Sequence, residues 1–82
     1  MKLVFRDEAR KKLNRIGAKD VPKVKKKIGS LLLHPLVGKP LSGEFAGTYS
    51  LKAWPLRILY SFDSKTQTII IETIDYRGDV YK

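Results

Sequence analysis

The N-terminal third of the chain carries two hydrophobic patterns in succession. A short apolar run predicts a β-strand over residues 2–5. After it, Ala9, Leu13 and Ile16 recur at helical spacing, and most positions between them are Arg or Lys. This pattern is typical of an amphipathic helix. We expect that helix over residues 6–17, because acidic residues suit its first turn and a glycine suits its end.

A second helical stripe follows after a short connection. Asp20 is placed to act as the N-cap, and Pro22 is tolerated in the first turn. The apolar positions that share one face are Val21, Val24, Ile28, Leu31 and Leu32. Pro35 disfavours helical backbone at the residue before it, so we expect this helix over residues 20–33. Two helices joined so closely should form an antiparallel hairpin.

The second half of the chain favours strands. Residues 35–47 contain two prolines and three glycines and show no sustained periodicity, which predicts a loop. Beyond it, the pattern predicts strands over residues 48–53, 56–62 and 68–75. The order of elements predicts a single α+β domain over residues 1–82. In it, an N-terminal strand and the antiparallel helical hairpin pack on a mainly antiparallel sheet of about four strands.

The turn between the first two of these strands fixes their register. A loop centred between Trp54 and Pro55 sets Lys52 opposite Arg57. It also sets two apolar pairs opposite one another, Leu51 with Ile58 and Tyr49 with Tyr60. Partners across a ladder share a face. The apolar pairs should therefore cover the helices, and the two cations should lie together on the other face.

A polar turn over residues 63–66 gives a register for the last two strands. It sets Arg57 opposite Glu72, and it sets Ile58 by Ile71 and Tyr60 by Ile69. The sequence thus predicts a row of charged residues, Lys52, Arg57 and Glu72, along one face of the sheet. Simple alternation would place Arg77 on the opposite face, and Arg77 joins this row only if the strand bulges or ends near residues 75–76.

The residue types exclude several kinds of site. The chain has no cysteine and one histidine. Thiolate catalysis, zinc-finger ligand sets and a pair of catalytic imidazoles are therefore excluded. We expect neither a metal nor a cofactor.

The net charge points to a polyanionic partner. Lysine and arginine number 17 against 8 aspartates and glutamates, which gives a net charge of +9 at pH 7. Such an excess in a small chain favours nucleic acid or an acidic protein as the partner. The aliphatic runs are far shorter than the roughly 20 residues that cross a bilayer, and the N-terminus does not resemble a signal peptide. We expect a cytoplasmic protein that does not bind a membrane.

Three segments resemble the RelE/ParE superfamily of small type II toxins. Residues 56–60, Leu-Arg-Ile-Leu-Tyr, are similar to a strand motif of that family. Residues 74–81, Ile-Asp-Tyr-Arg-Gly-Asp-Val-Tyr, are similar to the family's C-terminal motif. His-Pro at 34–35 and the stretch at 43–52 are similar to a third. The resemblance implies a RelE-like fold, which agrees with the elements predicted above, and a cognate antitoxin, which against this charge should be acidic.

The superfamily contains two activities. RelE-like members enter the ribosomal A site and cut the mRNA there without a metal, whereas ParE-like members poison DNA gyrase and have no nuclease site. Carried over by position, the resemblance implies four catalytic residues. Lys52 matches a lysine that acts as base or charge stabiliser, and Arg57 matches the transition-state arginine. Arg77 matches a second catalytic arginine, and Tyr81 matches a tyrosine that orients the substrate base. Their coexistence favours the nuclease, with the gyrase inhibitor as the alternative and a plain RNA-binding module as a third hypothesis.

Structural roles compete with these assignments. Arg57 and Glu72 can form a simple cross-strand salt bridge, Lys52 can be an ordinary solvated lysine and Tyr81 can be a packing anchor. Trp54, at the tip of a hairpin, can pack against the body or contact RNA. Tyr76 stands where many relatives have histidine, and the position of Glu44 in a loop leaves its match to a catalytic carboxylate loose.

Overall fold

The computed structural model describes residues 1–76, which form two α-helices and five β-strands. In chain order these are β1 (Lys2–Phe5), α1 (Asp7–Arg15), α2 (Val21–Leu33), β2 (Lys39–Pro40), β3 (Tyr49–Ala53), β4 (Leu56–Asp63) and β5 (Thr68–Tyr76), with a 3-10 turn at Gly43–Phe45 between β2 and β3. Two of the predicted site residues, Arg77 and Tyr81, lie outside the described residues.

The strands form one mainly antiparallel sheet in the order β1-β5-β4-β3-β2. Only β1 and β5 are parallel. Helices α1 and α2, which lie between β1 and β2 in the chain, pack on the sheet as the α+β prediction requires. The predicted strand count was one too low, because β2 lies in the segment predicted as a loop. Two residues, one of them a proline, show no alternation that a sequence pattern can detect. Proline is tolerated there because β2 is at the edge of the sheet.

The two helices begin and end close to the predicted residues. Helix α1 has Asp7 and Glu8 in its first turn and Lys12 and Arg15 in its last, so both ends have charges that stabilise the helix dipole. Asp20 occupies the N-cap position of α2, but its side chain makes no capping hydrogen bond. The prediction of its role was wrong in this respect. The Asp20 carboxylate is buried, with Oδ1 at 3.7 Å from the Lys23 Nζ.

The hydrophobic core lies between the helices and one face of the sheet. All five residues predicted to form its centre are buried: Leu51, Ile58, Tyr60, Ile69 and Ile71. Helix α1 contributes Ala9, and α2 contributes Val24, Ile28 and Leu31. Each large side chain removed from water stabilises the fold by about 1.5–3 kcal/mol. This burial fixes which face of the sheet is left for function.

Tyr60 connects the core to the segment before β2. Its ring stacks on Tyr49 with a centroid distance of 5.4 Å, and its hydroxyl accepts a hydrogen bond of 2.9 Å from the Gly38 backbone N–H. Burial raises the pKa of Tyr60 more than the Gly38 hydrogen bond lowers it, so the phenol stays protonated. A Cβ built on Gly38 would lie 2.7 Å from the ring, so this close approach requires glycine.

The register of β3 and β4 is confirmed, whereas that of β4 and β5 was predicted wrongly. Lys52 lies opposite Arg57, as expected. The second turn, however, is one residue later than predicted: Asp63 pairs with Thr68. The Asp63 Oδ1 accepts hydrogen bonds from the backbone N–H groups of Lys65 and Thr66, at 3.0 and 3.4 Å. This side-chain turn starts the loop after Asp63 and moves every later pair by two residues.

A β-bulge in β5 shifts the pairing further. Tyr60 pairs with Ile71 and Leu59 with Thr73, so Glu72 is the extra residue. As a result Arg57 lies opposite Asp75, and not opposite Glu72. The bulge also changes the alternation of the strand, because Ile71 and Ile74 are both in the core although three positions separate them.

Candidate active site

Two cations lie side by side on the sheet. Lys52 on β3 and Arg57 on β4 are direct cross-strand partners, so they share a face as predicted. Lys52 is exposed and Arg57 is half-buried. The Arg57 Nη1 lies 3.4 Å from the hydroxyl of Ser50, two positions from Lys52 on the same strand. This hydroxyl orients the guanidinium but, being neutral, does not offset its positive charge.

The acidic side chains of β5 are engaged by other cations. Glu72 forms a salt bridge with Arg6 and accepts a hydrogen bond of 2.8 Å from the Ser61 hydroxyl. The Asp75 Oδ2 lies 2.7 Å from the Lys12 Nζ. Within residues 1–76 no carboxylate forms a salt bridge with Arg57 or Lys52. The cross-strand salt bridge between Arg57 and Glu72, which was the structural alternative for Arg57, is therefore absent.

Asp75 is held in its ionised form. Burial opposes ionisation, but hydrogen bonds from the Lys12 Nζ and from the backbone N–H of Tyr76 outweigh it and lower the pKa of Asp75. Its negative charge is thus directed to helix α1, although Asp75 lies opposite Arg57 in the ladder.

The two cations border two depressions. Lys52 and Arg57 line one with Trp54 and Leu56 at the hairpin end of the sheet. They line another with Lys27 and Lys39 toward the edge of the sheet. Sequence analysis did not assign Lys39 to the site. Lys39 reaches it because strand β2, which was not predicted, pairs Lys39 with Ser50 of β3. We call Lys27, Lys39, Lys52 and Arg57 the cationic groove.

Three further residues were candidates for the site: Glu44, Arg77 and Tyr81. Glu44 is exposed in the 3-10 turn and lines neither of the two depressions beside Lys52 and Arg57. Arg77 and Tyr81 lie beyond the described residues. Among residues 1–76, no three His, Cys, Asp or Glu side chains come close enough together to bind a metal ion. Neither helix in this range is long and apolar enough to span a membrane.

Comparison with known proteins identifies the family. Residues 3–81 match the model for the ParE toxin of the type II toxin–antitoxin system parDE. The chain belongs to this family, within the RelE/ParE superfamily of toxins. This is a family of type II toxin–antitoxin toxins, in agreement with the resemblance of the three motifs.

Individual relatives support the assignment to this family. Toxin RelG of Mycobacterium tuberculosis is 44% identical over 55 residues, which are 66% of this chain; they span 63%, just under two thirds, of that relative. The toxin–antitoxin complex RelBE2 of the same organism contains a chain with a TM-score of 0.85 and 35% identity, over 93% of this chain and 96% of that one. The YoeB/ParE toxin of Agrobacterium tumefaciens shares the fold, with a TM-score of 0.82 and 24% identity over 94% and 99% of the two chains.

Proposed function

We propose that this toxin is a ribosome-dependent mRNA endoribonuclease that acts in the cytoplasm without a metal ion. The observation that carries the proposal is the pair Lys52 and Arg57, directly opposed on the face of the sheet away from the helices and without a salt-bridge partner in residues 1–76. Adjacent cations of this kind fit a phosphate group, and the cationic groove adds the positive charges of Lys27 and Lys39 beside them.

The proposed chemistry is attack of a ribose 2′-hydroxyl, which gives up its proton, on the adjacent phosphate. A 2′,3′-cyclic phosphate forms, the bond from phosphorus to the 5′-oxygen breaks, and this leaving oxygen takes up a proton. Lys52 acts as base or as charge stabiliser, and Arg57 binds the phosphate oxygens as negative charge develops on them. Arg77 supplies a second guanidinium and Tyr81 orients the substrate base. Ser50 is a positioning residue, because its hydroxyl holds the Arg57 side chain at 3.4 Å.

The proposed partner is an acidic antitoxin. An apolar groove lies between β1 and the two helices, lined by Leu3, Phe5, Leu13, Val24, Ile28 and Leu32. Lys25 borders it, and the outer edge of β1 has no neighbouring strand among the described residues. An amphipathic acidic segment fits this surface, with its apolar residues in the groove and a carboxylate on Lys25.

Salt titration tests the charge complementarity of that partner. With a net charge of +9, the toxin should bind its cognate antitoxin more weakly as ionic strength rises. Isothermal titration between low and high salt measures this change. An affinity that does not depend on salt would mean that apolar docking dominates and that the charge serves the ribosome alone.

A second candidate function is inhibition of DNA gyrase, which the match to the ParE family model favours. Two assays separate the candidates. Purified toxin is incubated with ribosomes programmed with mRNA, and the cut ends are mapped; naked mRNA is the control. In parallel, gyrase is tested for trapped cleavage complexes on plasmid DNA. Cleavage that needs the ribosome supports the nuclease, whereas trapped gyrase and intact mRNA would support the alternative.

A further inference from the structure

A single tryptophan stands beside the two opposed cations. Trp54 lies in the two-residue loop between β3 and β4, where its peptide bond to Pro55 is cis. It is the only tryptophan of the chain, and 68% of it is exposed. With Lys52, Leu56 and Arg57 it lines the depression at the hairpin end of the sheet. An indole that is mostly solvent-accessible therefore borders the same depression as the proposed phosphate site.

The neighbours of Trp54 fit a nucleotide better than a protein surface. Aromatic anchors at protein interfaces usually lie in well-packed, fully desolvated pockets. Here two of the other three lining residues are cations, and Leu56 is itself buried. A nucleotide has a flat apolar base and an anionic phosphate next to it. The indole matches the first of these, and Lys52 with Arg57 matches the second.

We propose that Trp54 stacks on an unpaired RNA base while Lys52 and Arg57 bind the phosphate next to it. Trp54 is then a positioning residue, which holds the nucleotide so that its phosphate reaches the two cations. This inference rests on the proposed function for its substrate, single-stranded RNA. The sequence left open whether Trp54 packs against the body or contacts RNA, and this inference chooses the contact with RNA.

Stacking and charge make separable contributions to binding. Replacing an aromatic residue that stacks on one base weakens binding by between about 5-fold and about 150-fold. Trp54→Ala should show a loss in this range, and Trp54→Phe should recover most of it. Because Trp54 carries no charge, neither variant should change the slope of log Kd against log salt. Lys52→Ala should instead reduce that slope by about 0.7.

Fluorescence of the single tryptophan gives a direct readout of stacking. The wild-type toxin is titrated with a single-stranded RNA hexanucleotide, and the emission of Trp54 is followed. Stacking should quench it in a saturable way. A hexamer of abasic ribose phosphates is the control, since it offers the same charges without bases and should leave the emission unchanged. Leu33→Ala, at an apolar position that is even more exposed and lies at the end of α2, is the matched variant and should bind RNA like wild type.

The same variants are measured with fluorescently labelled RNA and with programmed ribosomes, after urea unfolding has shown that they fold. The inference is overturned if the abasic hexamer quenches as strongly as RNA. It is also overturned if Trp54→Ala binds RNA and ribosomes as tightly as wild type, or if it loses only gyrase inhibition. Base-dependent quenching in a toxin that never cuts mRNA would support the stacking site and reject the nuclease. If wild type and Trp54→Ala cut mRNA at the same rate and bind it with the same affinity, the nuclease would be supported and the stacking site rejected.

Discussion

Lys52 and Arg57 place two positive charges directly opposite one another on β3 and β4. Like charges at opposed positions destabilise a sheet. The acidic side chains of β5 do not offset the repulsion, because Glu72 binds Arg6 and Asp75 binds Lys12. An unfavourable pair of this kind is typical of a site whose geometry serves an anion and not stability.

Removing one of these charges should therefore not harm the fold. Lys52→Met keeps the length of the side chain and removes the repulsion, so we expect the free energy of unfolding to stay unchanged or rise by up to about 0.5 kcal/mol. Urea denaturation at low and high salt measures it, and any gain should be larger at low salt. A loss above about 1 kcal/mol would mean that Lys52 is a structural residue.

Gly38 illustrates the opposite case, a residue fixed by packing. A Cβ at this position would lie 2.7 Å from both Cε1 and Oη of Tyr60, whose ring is buried and stacked on Tyr49. Gly38→Ala should destabilise the fold by about 1–3 kcal/mol, as other overpacked sites do.

Gly29→Ala is the matched control for that substitution. No heavy atom lies within 4 Å of a Cβ built on Gly29, which is inside α2. This variant should gain up to about 1 kcal/mol from helix propensity. Equal stabilities of the two alanine variants in urea unfolding would contradict the close contact between Gly38 and Tyr60.

At the scale of elements, the ion pair between Lys12 and Asp75 ties helix α1 to the last described strand. The pKa of Asp75 is lower in the folded state than its usual 3.8, so the unfolded chain binds the proton more readily. The stabilisation is therefore complete above about pH 4 and is lost as the pH falls through the folded pKa.

Asp75→Asn should remove this contribution, which we place at about 1 kcal/mol for a partly exposed pair. Urea unfolding of wild type and Asp75→Asn should differ by this amount at pH 7, and the difference should shrink toward pH 3. Glu44→Gln, in the exposed 3-10 turn, is the control and should follow wild type. A difference that does not change with pH would remove Asp75 from this role.

The elements were predictable where periodicity is strong. Strand β1 and both helices were found within two residues, because three or more apolar positions mark each of them. Strand β2 was not found, because two residues carry no period. The β4–β5 register failed for two local reasons, the side-chain turn at Asp63 and the bulge at Glu72. Both depend on hydrogen bonds that hydrophobic patterning does not encode.

At the scale of the whole molecule, the fold separates two surfaces. One face of the sheet is buried under the helices, and the cationic groove combines cations of strands β2, β3 and β4 with Lys27 of helix α2. Sequence predicted the central pair, Lys52 and Arg57, because the short hairpin fixes their register. It did not predict Lys39, which reaches the groove through β2, and it left the role of Trp54 open.

The central claim is that Arg57 stabilises the transition state of mRNA cleavage, and the single-turnover cleavage rate on programmed ribosomes tests it most directly. At saturating toxin, Arg57→Ala should cut at least about 100-fold more slowly than wild type, because one preorganised donor of positive charge is lost. Its affinity for ribosomes should change much less, since the contact matters mainly in the transition state. Leu33→Ala should cut like wild type. Equal rates for wild type and Arg57→Ala, or a wild-type toxin that never cuts, would contradict the account.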